Sequence, residues 1–285
     1  MKAKVNPFYK KTTLNLRGKI IDLSTPKIMG ILNITPDSFY DGGRYMEKDS
    51  ILQQAEKMLK EGATLIDVGG YSSRPGAVDI SIEEETDRLV GSIQAIREQF
   101  PDLLISADTF RAKVAEAAYN EGACMINDIS AGELDPDMFS LIAGKNIAYA
   151  LMHMRGTPQT MRNHTEYRDI LSEMTNYFLE KLNFLKKNGV SDLIIDPGFG
   201  FAKSMDQNYD LLKNLNYFKA LEVPILVGLS RKSMFYKFLG TNPQESLNAT
   251  TAAHMVALKN GASILRVHDV KEASEAIQIF KLTEK

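Results

Sequence analysis

The sequence lacks the features that would place the chain outside the cytoplasm or in a membrane. Its only cysteine is Cys124, so no internal disulfide bond can form, which fits a reducing compartment. No apolar run approaches the roughly 20 residues that a membrane-spanning helix needs. The stretch before Lys19 is basic but lacks the apolar segment of a signal peptide. We therefore expect a cytoplasmic protein without a membrane partner.

Charge of one sign is also not in excess. The 34 basic and 36 acidic residues give a formal net charge of -2, so we expect no global attraction to nucleic acid. There is no linker rich in proline and serine, no low-complexity tract and no strong internal repeat. The composition, 44% hydrophobic and 25% charged, is that of a globular chain long enough to bury a large core.

Eight short apolar segments recur along the chain. Each is too short for a typical helix and lacks the alternation of a strand buried on one face only. This pattern predicts strands buried on both faces, as in a parallel sheet. The segments are 27–33, 64–70, 103–109, 124–130, 146–154, 192–198, 224–230 and 263–269.

Amphipathic helical stretches lie between most of these segments. The first has Ile51 and Met58 on one stripe and stops at Gly62, and two later stretches stop at Gly189 and Gly261. A glycine between a helix and the next strand is typical of a helix C-cap.

This alternation predicts a single-domain α/β fold, the (β/α)₈ or TIM barrel. We assign the barrel to residues 27–285 and expect residues 1–26 to be an N-terminal extension that packs on it. A doubly wound open sheet is the alternative arrangement.

All eight predicted strands end in polar residues or glycine. In a barrel such positions converge on one face, where active sites are built. Asp108, Asn127 and Asp196 would offer carboxylate and amide oxygens there. These oxygens suit a heterocycle with adjacent N–H and NH₂ donors, such as a pterin or a guanine. From residue type alone, the two aspartates could instead bind a divalent cation.

A second group of residues at the same ends is cationic. It consists of Arg74, Lys232, Arg266 and His268. Arginine makes planar contacts to phosphate and stacks on rings. The segment GLSRKS runs from a predicted strand into a predicted helix with Ser233 in its first turn, an arrangement that suits an anion. It lacks the glycine spacing of a nucleoside-triphosphate loop.

Eight motifs occur in the order and spacing of one known family. They are IMGILNITPDSFYDGG, GYSSRPGA, SADT, INDIS, LMHMRGTPQTM, DPGFGF, GLSRKS and ILRVHDV. From residue 27 onward the chain closely resembles the dihydropteroate synthases, which are the sulfonamide targets of folate biosynthesis. The resemblance implies a TIM-barrel transferase that condenses 6-hydroxymethyl-7,8-dihydropterin pyrophosphate with p-aminobenzoate. It also implies Mg²⁺ as cofactor and a homodimer.

The resemblance assigns roles to individual residues. Those matching the family's contacts to the pterin edge and ring are Asp108, Asn127, Asp196, Lys232 and Arg266. Those matching its pyrophosphate contacts are Ser73, Arg74, Arg266 and His268. Those matching its p-aminobenzoate pocket are Phe39, Pro75, Phe201 and Ser233. Asn33 matches a position associated with Mg²⁺.

We expect six residues to contribute to catalysis. They are Asn33, Asp41, Arg74, Lys232, Arg266 and His268. The stretch from Thr35 to Gly43 would form a lid in which Phe39 closes over p-aminobenzoate and Asp41 faces Mg²⁺ or the cationic group. We expect a structural role for His254, and we do not expect His153 to take part directly in catalysis.

Two other functions remain open on the sequence alone. A methyltransferase that moves a methyl group from methyltetrahydrofolate to a corrinoid would share the acceptor side chains, but it would have less use for the cationic group. A non-catalytic pterin-binding barrel would not need every proposed site residue.

Overall fold

The computed structural model describes residues 11–34, 44–72 and 79–284, with side chains described from residue 48 onward in the second range. Five of the predicted site residues lie outside these ranges. They are Phe39, Asp41, Ser73, Arg74 and Pro75.

The described chain begins with a two-stranded antiparallel hairpin and continues as alternating parallel strands and helices. The hairpin strands are Thr13–Leu16 (β1) and Lys19–Asp22 (β2). The parallel strands are Lys27–Asn33 (β3), Leu65–Gly69 (β4), Leu104–Asp108 (β5), Met125–Asp128 (β6), Ala148–Met152 (β7), Leu193–Asp196 (β8), Leu226–Val227 (β9) and Ile264–Val267 (β10).

A helix follows each parallel strand, and two follow β9. The helices are Arg44–Glu61 (α1), Ile82–Gln99 (α2), Ala112–Glu121 (α3), Met138–Lys145 (α4), Ile170–Lys187 (α5), Met205–Lys213 (α6), Ser233–Leu239 (α7), Leu247–Lys259 (α8) and Val270–Thr283 (α9). Short 3₁₀ turns span Met161–Asn163, Leu215–Leu221 and Gln244–Ser246. None of the helices in the described ranges is both long and apolar enough to cross a membrane.

The parallel strands form one closed sheet. Their order is β8-β7-β6-β5-β4-β3-β10-β9. A bridge between Ile195 and Ile225 joins the two ends, and the Ile195 N–H donates to the Pro224 carbonyl at 3.0 Å. The predicted (β/α)₈ barrel is therefore confirmed, and closure excludes an open doubly wound sheet.

The eighth strand in the sheet order, β9, is much shorter than the segment 224–230 that predicts it. Only Leu226–Val227 pair as a strand. Pro224 has no N–H to donate to a neighbouring strand, and Gly228 follows directly. The chain past Val227 is therefore free to turn toward α7 and to place Lys232 at the barrel end.

Local sequence fixes where the helices begin. The Ser81 hydroxyl accepts from the Glu84 N–H at the start of α2, and the Asp169 carboxylate accepts from two N–H groups of α5. Ser204 and Gln207 form a reciprocal capping box at α6. Such caps satisfy donors that a helix start leaves without partners.

The core consists of a large layer between sheet and helices and a smaller cluster inside the barrel. The inner cluster joins hairpin residues Leu14 and Leu16 to one buried residue or more from each barrel strand, among them Met29 and Ile264. These strand residues lie toward the amino ends, so the hairpin covers the end of the barrel opposite the predicted site. Cys124 belongs to this cluster, and its thiol donates to the Ile105 carbonyl at 3.2 Å.

Candidate active site

A cavity opens at the carboxyl ends of the barrel strands, and we call the residues around it the mouth. They are Asp108, Asn127, Ile129, Met152, Asp196, Gly198, Phe199, Phe201, Gly228, Lys232 and Arg266. Six of these are site residues predicted from the sequence, and they come from five different strands or the loops after them.

Arg266 is held between two carboxylates. Its Nε lies 2.6 Å from Asp67 Oδ2 and its Nη2 lies 2.5 Å from Asp108 Oδ2. Burial alone would lower the pKa of the Arg266 guanidinium, but the charges of Asp67 and Asp108 raise it above its ordinary value. Arg266 therefore keeps its positive charge at the mouth at any physiological pH.

Asp67 is a residue that the sequence analysis missed. It lies in the middle of β4 rather than at its end, is fully buried, and also accepts from Asn127 Nδ2 at 2.9 Å. The signal that could have found it is a lone carboxylate inside an apolar strand, because a buried charge needs a partner. The partner, Arg266, is distant in sequence.

The two predicted carboxylates of the mouth are both harder to ionise than exposed aspartates. Burial raises the pKa of Asp108 to about 7, although the Arg266 charge opposes this rise. Burial likewise raises the pKa of Asp196. The Gly198 N–H, which donates to Asp196 Oδ1 at 2.8 Å, opposes this rise. Donors on a bound ring would favour the ionised forms of both groups.

Lys232 lies over the loop that follows β8. Its Nζ is 4.5 Å from the centre of the Phe201 ring, a cation–π distance. Burial, followed by the nearby Arg266 charge, lowers the pKa of Lys232 to about 8. The preceding residue, Arg231, has φ 52 and pairs with Asp269, so the two basic side chains separate and only Lys232 lines the mouth.

Lys203 is a second residue that the sequence analysis missed. Its buried ammonium donates to the carbonyls of Gly198 (3.0 Å) and Phe201 (2.9 Å) and lies 3.1 Å from His153 Nδ1. Burial lowers the pKa of Lys203 to about 7, and no carboxylate among the described residues forms an ion pair with it. Through these hydrogen bonds, Lys203 holds the loop that contains Phe201 in place.

His153 is surrounded by aromatic side chains. It is buried, and its ring packs against Tyr167, Tyr177 and Phe178. Burial, followed by the Lys203 charge, lowers the pKa of His153 far below its ordinary value. A neutral imidazole can accept a hydrogen bond from Lys203, so His153 takes part in holding the loop rather than in chemistry.

The other described site residues stand at the same end of the barrel. Asn33 ends β3 and is partly exposed, in register with Gly69, which is itself in register with Asp108. Ser233 begins α7, and His268 follows β10 with its N–H donating to the Ser230 hydroxyl at 3.2 Å. The structure therefore brings nine predicted site residues to one face of the barrel. They are Asn33, Asp108, Asn127, Asp196, Phe201, Lys232, Ser233, Arg266 and His268.

The described part of the chain contains no group of three histidine, cysteine, aspartate or glutamate residues placed to hold a metal ion. Asp108 and Asp196 are therefore not part of a three-residue cluster of this kind, and Asp108 already pairs with Arg266. Both carboxylates instead face the cavity together with an amide and two cations.

Comparison with known proteins agrees with this arrangement. The family model described as "Pterin binding enzyme" matches residues 29–268. The dihydropteroate synthase of Escherichia coli is 41% identical over 269 residues, which is 94% of this chain and 95% of that protein.

Solved structures give the same result. A dihydropteroate synthase of Yersinia pestis in a sulfonamide drug complex superposes with a TM-score of 0.89 at 42% identity, covering 95% of this chain and 99% of that one. A dihydropteroate synthase of Xanthomonas albilineans with 4-aminobenzoic acid gives 0.89 at 36% identity, covering 96% and 98%. With the fold, the mouth and all three comparisons in agreement, this chain belongs to the pterin binding enzymes and, among them, to the dihydropteroate synthases.

Proposed function

We propose that the mouth binds the pterin substrate through its acceptor side chains and joins it to p-aminobenzoate at the same place. The family's reaction condenses 6-hydroxymethyl-7,8-dihydropterin pyrophosphate with p-aminobenzoate and releases 7,8-dihydropteroate and pyrophosphate. One observation supports this assignment above the others. Asp108, Asn127 and Asp196 line a single cavity together with Lys232 and Arg266.

The pterin edge would lie against the three acceptors. A pterin presents adjacent N–H and NH₂ donors, and two carboxylates with an amide oxygen complement them. Lys232 and Arg266 would contact or stack on the ring, since a guanidinium is planar and both cations line the cavity. Phe201 and Ser233 would contribute to the p-aminobenzoate pocket, together with Phe39 and Pro75 from outside the described residues.

The reaction exchanges a carbon–oxygen bond for a carbon–nitrogen bond. When the bond between the exocyclic methylene carbon and the pyrophosphate oxygen breaks, both electrons leave with pyrophosphate. The electron-rich dihydropterin delocalises the positive charge left on that carbon, which favours a dissociative route. The neutral arylamine nitrogen then attacks and loses a proton to solvent, so no strong general base is required.

The protein's part in bond breaking is to supply positive charge where negative charge develops. We assign this role to Arg74, Arg266 and His268, with Ser73 as a hydrogen-bond donor. Arg266 is fixed at the mouth by its carboxylate partners, and the exposed His268 lies just after the same strand.

Mg²⁺ fits the oxygen donors at this end of the barrel. The described residues offer no cluster of three acidic, histidine or cysteine ligands, while Asn33 offers one amide oxygen at the end of β3. Because Mg²⁺ keeps several waters and often takes phosphate oxygens, one or two protein ligands suffice. We propose Asn33, with Asp41 from outside the described residues, as those ligands. When bound, Mg²⁺ would neutralise charge on the leaving pyrophosphate.

Pyrophosphate release tests the proposal directly. Purified protein with both substrates and Mg²⁺ should release one pyrophosphate for each 7,8-dihydropteroate formed. A corrinoid methyltransferase would release none and would instead consume methyltetrahydrofolate. Tight pterin binding without release would indicate a non-catalytic barrel, and either outcome would overturn the assignment.

We also propose that the chain acts as a cytoplasmic homodimer. Helices α7 and α8 expose Phe238 (68%), Leu239 (53%) and Val256 (44%), which surround an apolar groove of about 500 Å³ between α6, α7 and α8. A second copy of this chain would bury these side chains. Val256→Glu should then convert a dimer into a monomer in sedimentation velocity, and an unchanged mass would argue against this face.

A further inference from the structure

The carboxylate of Asp67 lies behind the mouth and contacts two residues that line it. Its Oδ2 accepts from Asn127 Nδ2 at 2.9 Å and from Arg266 Nε at 2.6 Å. Asp67 itself is fully buried and does not line the cavity. The role assigned to it above is to fix Arg266 at the mouth.

This contact decides which end of the Asn127 amide is available to a ligand. A carboxylate paired with a guanidinium accepts hydrogen bonds and has none to donate, so only the NH₂ group of Asn127 can face Asp67. The carbonyl Oδ1 is the other end of the same planar amide, and none of the described side chains or N–H groups donates to it. Asn127 therefore presents an acceptor to the mouth, as do Asp108 and Asp196.

The Arg266 contact keeps Asp67 in place for this task. The guanidinium Nε approaches the same oxygen that accepts from Asn127, which fixes that oxygen as the acceptor. The other oxygen, Oδ1, has no partner among the described residues. Nor has the hydroxyl of Ser106, the residue in register with Asp67 on the adjacent strand.

We propose that Asp67 is a positioning residue for substrate selectivity. By holding the Asn127 amide in one orientation, Asp67 makes the mouth select pteridines with a 2-amino group over those with a 2-oxo group. This inference rests on pterin binding at the mouth. An amino group donates to Asn127 Oδ1, whereas an oxo oxygen would face another acceptor and lose its hydrogen bond. If the amide were free to turn over, its NH₂ could donate to the oxo group.

Two variants at Asp67 separate its acceptor oxygen from its charge. Asp67→Leu keeps the branched shape and removes the acceptor. Asp67→Asn removes the charge but keeps an amide oxygen where Arg266 Nε requires one, with its NH₂ directed to the Ser106 side. Ser106→Ala is the matched control, because it alters a buried polar group at the same level of the barrel without touching Asn127.

The experiment measures dissociation constants of pterin (2-amino-4-oxopteridine) and lumazine (2,4-dioxopteridine) from their own fluorescence. Wild-type protein, Asp67→Asn and Ser106→Ala should prefer pterin by similar ratios, within about threefold of each other, whereas Asp67→Leu should lower the ratio about tenfold. In an Asn127→Ala background Asp67→Leu should leave the ratio unchanged.

Three results would overturn the inference. An equal loss of affinity for both compounds in Asp67→Leu would show a general structural role. An equal fall of the ratio in Asp67→Asn and Asp67→Leu would show that charge, not orientation, matters. Wild-type protein that binds neither compound would overturn the proposed function together with this inference.

Wild-type protein provides a second measurement should Asp67→Leu fail to fold. The side-chain NH₂ resonances of Asn127, assigned by their loss in Asn127→Ala, should be protected from hydrogen exchange and nearly unmoved by pterin. A nuclear Overhauser effect between these protons and bound pterin would overturn the orientation we infer.

Discussion

The two carboxylates beside Arg266 have different surroundings. Asp67 is enclosed within the barrel, whereas Asp108 ends its strand, is partly exposed and lines the cavity. Asp108 is therefore the partner that can exchange Arg266 for the donors of a substrate. Arg266 would then keep Asp67 as the partner for its charge, and its terminal nitrogens would be available to a bound ligand.

Arg74 provides a test of the leaving-group chemistry. Arg74→Ala should lower kcat by about 10²–10³-fold while changing pterin affinity little, because the charge is needed only as pyrophosphate departs. Steady-state kinetics and pterin titration would give the two quantities. Arg162→Ala, which alters an exposed arginine, is the control. A loss confined to pterin binding would contradict the role.

Lys203 provides a test of loop positioning. Gly198, Gly200 and Ala202 all have positive φ, and this tightly turned loop relies on the carbonyl contacts of Lys203. Lys203→Met should raise KM for p-aminobenzoate about tenfold through misplacement of Phe201, with pterin affinity kept within about twofold. Lys187→Met, at an exposed lysine of α5, serves as control. If Lys203→Met weakened the binding of both substrates equally, the proposed role of Lys203 in positioning Phe201 would be contradicted.

Among the elements, the strands were the most predictable from sequence and the hairpin the least. Runs such as ILN and LLISAD are buried on both faces. Their assignment as strands with polar ends therefore followed from the pattern of apolar residues in the sequence. The hairpin also has a local signal that the sequence analysis did not use. Leu14 and Leu16 alternate with polar residues, and Arg17 and Gly18 both have positive φ as a tight hairpin turn requires.

Long-range pairing explains the rest of what was missed. The importance of Asp67 depends on Arg266, which is distant in the chain. The two residues meet because their strands, β4 and β10, both pair with β3. The importance of Lys203 depends on backbone carbonyls turned inward by three residues of positive φ. Neither arrangement leaves a periodic pattern in the sequence.

The hairpin is predicted to stabilise the whole barrel. Leu16 is buried in the inner cluster, so Leu16→Ala should lower the free energy of unfolding by about 2–5 kcal/mol. Ile20→Ala, at a residue 63% exposed on the same hairpin, should change it by less than about 0.5 kcal/mol. Urea denaturation followed by circular dichroism measures both. Equal effects would show that the hairpin does not share the core.

For the whole molecule, the buried histidines make the free energy of unfolding depend on pH. His254 lies inside α8 with neither ring nitrogen bonded to a described residue, and burial lowers its pKa to about 4. A histidine held neutral by folding contributes stability that is fully present above its unfolded pKa of about 6.5. That contribution is lost as pH falls from about 6.5 toward 4.

Replacing His254 should therefore flatten the acid side of the stability curve. His254→Leu should remove up to about 1.4 kcal/mol of pH dependence per unit between pH 6 and 4.5, measured as the urea midpoint at several pH values. His164→Leu, at an exposed histidine, should leave the slope unchanged. An unaltered slope in His254→Leu would show that another group titrates in this window.

The inner cluster also sets an order of events in time. The ribosome makes the hairpin before any strand that the hairpin will cover. The cluster in which the hairpin packs nevertheless includes Ile264 of the last strand. Leu14 and Leu16 therefore stay exposed to solvent until nearly the entire chain has been synthesised. Among the described elements, the hairpin is therefore made first and is among the last to reach its native contacts.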